Sequence, residues 1–159
     1  MEIELRSAGM DDRGLLLVLI RGLYDHERIP FDEDRTDRAL AGLLADPSLG
    51  RVWIVESDGE PAGYAVLTLG YSLEFGGRFG LLDELFIREE HRGRGAGRQA
   101  LARIAEACRE LGLSALRLEV GRTNRTAQGL YGKAGFATED RDLMTLRLVE
   151  VANAGFHGH

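Results

Sequence analysis

The segment that decides the fold reads Phe86-Ile-Arg-Glu-Glu-His-Arg-Gly-Arg-Gly-Ala-Gly-Arg98. The apolar run over residues 80–87 predicts a buried strand ahead of it, and the apolar spacing over about 95–111 predicts a long helix after it. Its three glycines remove side chains over one turn, so the backbone can approach a ligand closely. We therefore expect a binding loop where the strand passes into the helix.

This loop has the chemistry of an anion site. The first turn of a helix leaves backbone N–H groups without partners, and the helix dipole favours negative charge there. Three basic side chains crowd the same turn, Arg92, Arg94 and Arg98. Because guanidinium groups pair well with phosphate oxygens, the segment predicts a small phosphorylated ligand.

Two common phosphate motifs do not fit this loop. A P-loop needs G-x-x-x-x-G-K-S/T, which the chain lacks. The dinucleotide motif G-x-G-x-x-G needs its third glycine one position beyond Gly97, and it must follow a strand directly, whereas five residues separate Ile87 from Gly93. An NAD-dependent oxidoreductase is therefore an alternative that the glycine spacing disfavours.

Length and composition limit the number of domains, the partners and the location that we expect. With 159 residues and ~150 residues per domain, we expect one domain over residues 1–159, with residues 152–159 as a loose tail. The net charge of −6 disfavours nucleic acid as a partner. No membrane-spanning run, membrane partner or secretion signal is predicted, so the expected location is cytoplasmic. The single cysteine, Cys108, lies on the apolar face of the predicted helix and reads as core.

The predicted elements follow the order β-α-α-β-β-β-α-β-α-β-β. Asp58-Gly59 marks a hairpin turn between two early strands, and strand–helix crossovers come later. The last two predicted strands cover residues 135–138 and 143–149. Hairpins followed by crossovers predict a mixed sheet with helices on both faces rather than a doubly wound parallel sheet.

A second segment combines with the loop into a family pattern. The loop reads Arg92-x-x-Gly95-x-Gly97, and Asn124-x-x-Ala127-x-x-Leu130-Tyr131-x-x-x-Gly135-Phe136 follows it. Together with the acidic strand Leu82-Asp-Glu-Leu-Phe-Ile87, these motifs resemble the GNAT superfamily of N-acetyltransferases. The resemblance implies an α/β (α+β) GNAT fold with a mixed, mostly antiparallel sheet of about six to seven strands. It also implies acetyl-CoA as co-substrate, with no metal.

The resemblance assigns residues to the co-substrate. Backbone amides of the loop and helix start would bind the pyrophosphate, at Arg92, Gly93, Arg94, Gly95, Ala96 and Gly97, with Arg98 in reach. The strand before the loop would carry a bulge and splay from the next strand to hold the pantetheine arm. Backbone N–H groups near Phe86 or Ile87 would polarise the acetyl carbonyl, and Asn124 would bond to the pantetheine.

Acetyl transfer to an amine needs a base, because an alkylammonium has a pKa of ~10.4 and is no nucleophile. Two carboxylates in an apolar strand, Asp83 and Glu84, are costly to bury unless they are used or paired. Strand alternation is expected to point them to opposite faces. Glu84 is the first choice for the base by its family position, with Asp83 as the alternative. The resemblance makes Tyr131 the acid that protonates the leaving thiolate.

The resemblance implies an acceptor that is the amine of a small molecule or a peptide. The resemblance places the end of the first helix beside the acceptor, so Tyr24 and Glu27 join Asp83 as candidate substrate-binding residues. The strand sequence looks like the polyamine and diamine branch, while peptide amines and aminoglycosides stay open. A non-catalytic acyl-CoA-binding module of the same fold is the alternative function. Family members often dimerise through late strands, so a homodimer through residues 143–149 is expected.

Overall fold

The computed structural model describes residues 1–149, so the expected tail at 152–159 lies outside the described residues. The strands are β1 (Ile3–Ser7), β2 (Gly50–Ser57), β3 (Glu60–Ser72), β4 (Gly77–Ile87) and β5 (Leu116–Leu118). The α-helices are α1 (Arg13–Glu27), α2 (Glu33–Ala45), α3 (Ala96–Glu110) and α4 (Arg125–Lys133), and short 3₁₀ turns cover Met10–Asp12 and Glu89–His91.

The strands form one mixed sheet in the order β1-β2-β3-β4-β5. Neighbours from β1 to β4 are antiparallel, and β5 joins β4 in parallel after the α3 crossover. The β2–β3 turn has Asp58 at φ 50° and Gly59 at φ 84°, which is the left-handed geometry that a tight hairpin requires. The predicted hairpin and the mixed sheet are both confirmed.

Helices cover both faces of the sheet, as predicted. Leu16 and Ile20 of α1 and Leu40 of α2 pack on one face, against side chains of β2 and β3. Leu101 and Ile104 of α3 pack on the other face, together with Cys108, which is buried as core. Gly112 follows the last turn of α3 with a φ of 75°, the left-handed conformation that commonly ends a helix.

The predicted strand number is wrong, because the described residues contain five strands rather than six or seven. Residues 135–138 and 143–149, predicted as the last two strands, form neither helix nor strand. The apolar side chains of the later segment are 73–90% exposed: Leu143, Met144, Leu146, Leu148 and Val149. Strand propensity alone does not form a strand, since the backbone N–H and C=O groups need a neighbouring strand to pair with.

No helix within residues 1–149 combines the length and the apolar character needed to cross a bilayer.

Candidate active site

The central feature of the site is the point where β4 and β5 separate. Their parallel pairing covers only Gly80–Leu116, Leu81–Arg117 and Leu82–Leu118. At the same point the β3–β4 register shifts, so that Val66 pairs with Glu84 while Leu67 pairs with Leu82. Asp83 is thus the extra residue of a β-bulge, which bends its strand and increases the local twist. The bulge and the splay implied by the resemblance are both present.

The bulge also interrupts the alternation of side chains that is expected along β4. Leu82 packs among the α3-side residues, whereas Glu84 bonds to Tyr24 of α1 on the other face. In an unbroken strand these two residues, two apart, would share a face. The bulge therefore shifts the alternation by one residue between Leu82 and Glu84. That Asp83 and Glu84 face opposite sides stays a prediction.

Backbone amides line the opened side of β4. The N–H of Arg88 donates to the carbonyl of Ala62 at 2.7 Å, and hydrogen-bonded pairs alternate along an antiparallel ladder. By this alternation Tyr64 and Phe86 form a hydrogen-bonded pair, whereas Gly63 and Ile87 form a non-hydrogen-bonded pair. The N–H of Ile87 consequently points away from β3, toward the gap left by β5. Of the two expected amide donors, Ile87 faces the gap, while the Phe86 N–H belongs to the ladder.

The loop before α3 has the backbone shape of an anion site. Gly93 and Gly95 have φ of 77° and 80°, values that favour glycine, and Gly95 is the N-cap of α3. The N–H groups of Gly93, Arg94 and Gly95 have no acceptor within the part of the chain that the structure describes. Adjacent N–H groups of Ala96, Gly97 and Arg98 lie in the first helical turn, which lacks intrahelical acceptors.

Side chains hold this loop in place. The Arg92 guanidinium donates to the carbonyl of Ile87 at 2.7 Å and stacks on Phe86, with its Cζ atom 5.3 Å from the ring centroid. A Cβ atom at Gly97 would lie 3.4 Å from Leu130, so the glycine lets α3 pack closely on α4. Arg94 and Arg98 are exposed. Arg92 thus shapes the loop, and the other two arginines remain available to an anion.

An open cavity of about 430 Å³ lies between α1 and this loop. Its walls are Val18, Leu19, Gly22, His26, Phe86, Arg88, Glu89, Glu90 and Arg92. Phe86 reaches α1 at Gly22, where an added Cβ would lie 3.0 Å from the ring. The cavity therefore lies between the α1 face of β4 and the first part of the loop, and it ends at Arg92, just before the free amides.

Glu84 is held by two tyrosine hydroxyls. Tyr24 of α1 donates to its Oε2 atom and Tyr64 of β3 donates to its Oε1 atom, each at 2.7 Å. Burial raises the pKa of Glu84, and the two hydrogen bonds oppose that rise. Burial, followed by repulsion from Glu84, raises the pKa of both tyrosines, so both hydroxyls keep their protons.

Asp83 differs from its neighbour in exposure and in partners. Its side chain is exposed, and partial burial alone raises the pKa of its carboxyl group. No hydrogen bond to its carboxylate is made by any residue in the range 1–149. Asp83 is thus the acid at the bulge that is open to water.

Tyr131 lies on α4 and packs on the α3 side of the sheet. Its ring packs edge-on against Phe136 with centroids 5.9 Å apart. Burial raises the pKa of Tyr131, and repulsion from Glu27 at the end of α1 adds to the rise. The apolar cluster that contains Tyr131 includes Leu85 of β4 and Leu118 of β5, so Tyr131 packs on this side of the two strands that separate. A protonated phenol there can donate a proton at neutral pH.

Asn124 has a local contact. Its Oδ1 atom accepts from the N–H of Ala127 at 3.1 Å and caps α4. The Nδ2 donors remain for the pantetheine contact expected above.

Tyr64 is the site residue that the sequence analysis missed. It lies in the strand Glu60–Ser72 among apolar neighbours and is fully buried. A phenol in such a run signals a buried hydrogen-bond partner, because a hydroxyl rarely stays unpaired in a core. That signal points to no particular partner, since Glu84 is twenty residues away along the chain.

Comparison with known proteins agrees with this geometry. The model of the acetyltransferase (GNAT) family matches residues 18–136. The thialysine N-epsilon-acetyltransferase of Bos taurus is 30% identical over 143 residues, covering 84% of this chain and 83% of the relative.

Two solved structures share the fold. An integron cassette protein from the Cole Harbour salt marsh metagenome has a TM-score of 0.82 and 35% identity, covering 92% of this chain and 91% of its own. The crystal structure of a predicted acetyltransferase with acetyl-CoA, from Clostridium acetobutylicum, has a TM-score of 0.75 and 22% identity. The match covers 91% of this chain and 96% of the neighbour.

Proposed function

The chain belongs to the acetyltransferase (GNAT) family, and from that premise we propose that it is an acetyl-CoA-dependent N-acetyltransferase acting directly on a primary amine. The acceptor is the amine of a small molecule or a peptide. Acetyl-CoA supplies the acetyl group as a thioester. The remaining steps depend on side chains and amides of this chain.

One observation carries the proposal: β4 and β5 part at Leu82 and Leu118, and the free amides before α3 lie at the same end of β4. The gap suits a thin, extended arm, because the diverged strands leave backbone groups for it to bond. The amides of Gly93 to Gly97 suit a pyrophosphate at one end of that arm. The Ile87 N–H suits a carbonyl oxygen at the other end, where negative charge develops during transfer.

The acids and Tyr131 complete the transfer. Glu84 takes one proton from the acceptor ammonium, directly or through water, and so converts it into the nucleophilic amine. Asp83 lies beside Glu84 as the alternative base. The C–N bond forms as the C–S bond breaks, and the Tyr131 hydroxyl gives its proton to the thiolate. The nitrogen, once acylated, loses its second proton to water, and that proton restores the Tyr131 hydroxyl. An amine and a thioester thus become an amide and a thiol, with charge and atoms balanced.

The charges around the gap favour a cationic acceptor. Asp83 and Glu84 lie where β4 and β5 part, and within residues 1–149 no arginine or lysine forms an ion pair with either. A carboxylate without a protein counter-charge attracts a substrate ammonium. The thialysine acetyltransferase relative acts on an amine, by its name. Polyamines, diamines and lysine-like amines are therefore the first acceptors to test.

We also propose that the protein is a homodimer in which residues 143–149 of one protomer lie against the sheet edge of the other. The five apolar side chains of that segment are 73–90% exposed. The outer edge of β5 has no strand beside it in the described part of the sheet. Leu146→Asp should shift the mass measured by light scattering from dimer to monomer, and a wild-type monomer would refute this proposal.

The function is tested by an amine panel with acetyl-CoA, read as thiol release. The panel includes polyamines, lysine analogues and peptides with free N-termini. We expect amine-dependent thiol release that Glu84→Gln lowers, with the acetylated amine identified by mass. Acetyl-CoA binding in calorimetry without turnover on any amine would favour the non-catalytic binding module instead.

A further inference from the structure

We propose that Tyr64 and Tyr24 are positioning residues that hold Glu84 as a fixed, uncompensated anion facing the acceptor amine. This inference rests on the proposed acetyl transfer and adds to it an explanation of how the site binds a cationic acceptor. It assigns Tyr24 a role through Glu84 rather than a direct substrate contact.

The geometry leaves Glu84 one orientation. One hydroxyl reaches each carboxylate oxygen at 2.7 Å, from α1 on one side and from β3 on the other. The ring of Tyr64 is fully buried and lies 6.4 Å from that of Phe86. The ring of Tyr24 packs edge-on against Phe31 at 5.8 Å. With both donors locked by packing, the carboxylate cannot rotate without breaking a hydrogen bond.

The choice of tyrosine as partner matters for charge. An arginine or lysine would neutralise Glu84, whereas a neutral O–H stabilises the anion and leaves its full negative charge. Among residues 1–149 no basic side chain forms an ion pair with Glu84. The protein therefore keeps a half-buried negative charge whose counter-ion is missing, and a substrate ammonium supplies it.

The carboxylate still has room to bind. Each ionised carboxylate oxygen can accept about two hydrogen bonds, so one position per oxygen remains after the tyrosines. Asp83 lies next in the strand and is exposed at the bulge. A cationic amine can thus meet two carboxylates, one held by the tyrosines and one open to water.

The titration of Glu84 follows from the groups around it. Burial has the largest effect and raises the pKa of Glu84, the hydrogen bonds from Tyr24 on α1 and Tyr64 on β3 lower it, and Asp83 on β4 raises it. Burial and Glu84 raise the pKa of Tyr24, and Arg35 of α2 opposes that rise. Removal of one hydroxyl takes away a donor to the anion, so the pKa of Glu84 must rise.

The test compares Tyr64→Phe, Tyr24→Phe and the double variant with Tyr71→Phe, which removes a hydroxyl from an exposed side chain far from Glu84 in the sheet. The first readout needs no substrate: ¹³C NMR of carboxyl-labelled glutamate, with Glu84 assigned by Glu84→Gln. We expect its pKa to rise by about 1 unit in each single variant and by more in the double variant. Tyr71→Phe should leave it unchanged.

The second readout is the pH profile of kcat/KM with the best amine of the panel. Its acid limb should move to higher pH in Tyr64→Phe and Tyr24→Phe by the same amount as the NMR pKa. KM for a diamine should rise several-fold, while KM for acetyl-CoA stays constant. A role confined to folding would change thermal stability without moving the acid limb.

Failure of this inference is separate from failure of the proposed function. Wild-type turnover with unshifted Glu84 titration in both single variants would overturn the positioning role and leave acetyl transfer standing. Absence of wild-type turnover with a shifted titration would refute the transferase and leave the tyrosine contacts intact.

Discussion

Leu82 of β4 and Leu118 of β5 form the last pair of the parallel ladder, one residue before the bulge at Asp83. The strand that begins as a partner of β5 is thereby bent away from it. The extra residue shifts every later side chain of β4 by one position, which places Glu84 on the α1 face, and the gap beyond Leu82 leaves the N–H of Ile87 without a β5 partner.

Deletion of Asp83 should close the gap. Leu82 and Glu84 would then be adjacent and would keep their present, opposite faces in an unbulged strand, so the core contacts survive. We expect acetyl-CoA affinity, measured by calorimetry, to fall about 10-fold or more, since a straight β4 can pair further along β5.

The matched control for this deletion is Asp83→Ala, which keeps the extra residue. It should retain acetyl-CoA affinity and raise KM for the amine, because it removes only a charge. Equal affinity in the deletion variant and the wild type would contradict the role assigned to the bulge.

Gly95→Glu should abolish acetyl-CoA binding. The substitution places a negative side chain at the N-cap of α3 and strains a residue whose φ is 80°. Gly112→Glu is the matched control, because it carries the same charge at a φ of 75° beyond the other end of α3. We expect calorimetric binding to be lost in the first variant alone, and loss in both would point to strain rather than to an anion site.

Tyr131→Phe should lower kcat about 10-fold or more and change KM for acetyl-CoA much less. The ring keeps its packing on Phe136, while the proton donor is gone. Steady-state kinetics at pH 7 measure the effect, with Tyr71→Phe as the control. Wild-type kcat in Tyr131→Phe would exclude this phenol as the acid.

Asp12→Asn should destabilise the fold in a pH-dependent way. Arg6 binds both carboxylate oxygens of Asp12 at 3.1 Å, and Gly9 donates a backbone N–H at 2.8 Å. The bonds to Arg6 and then to Gly9 lower the pKa of Asp12. A lowered folded-state pKa means that the stabilisation is present above the unfolded value of ~3.9 and is lost as the pH falls through the folded value.

Urea unfolding measures this effect. At pH 7 we expect Asp12→Asn to lose about 0.5–1 kcal/mol of unfolding free energy, and the difference should narrow at pH 3. The control is Asp11→Asn, which changes an exposed carboxylate in the same turn. A loss that stays constant from pH 7 to pH 3 would show that charge is not its origin.

Much of this molecule follows from local pattern. The glycines and arginines before a helical repeat predict an anion site at a helix start, and the structure places Gly93 and Gly95 in left-handed conformations there. The Asp58-Gly59 turn, the mixed sheet and the core position of Cys108 follow likewise, because turn chemistry and apolar spacing act over a few residues.

Other features needed contacts distant in sequence. The side on which Glu84 lies depends on a bulge whose register is set by β3, and its partners Tyr24 and Tyr64 are sixty and twenty residues away. The strand predicted at residues 143–149 is not formed for the same reason, because a strand needs another backbone segment to pair with it.

The sequence by itself determined the family, the sheet with two helical faces and the glycine-rich turn before α3, because each depends on short motifs that act locally. Tertiary structure alone decided which acid is held, which is open, and where the sheet parts. Those outcomes depend on register and packing between segments, which no local pattern of residues specifies.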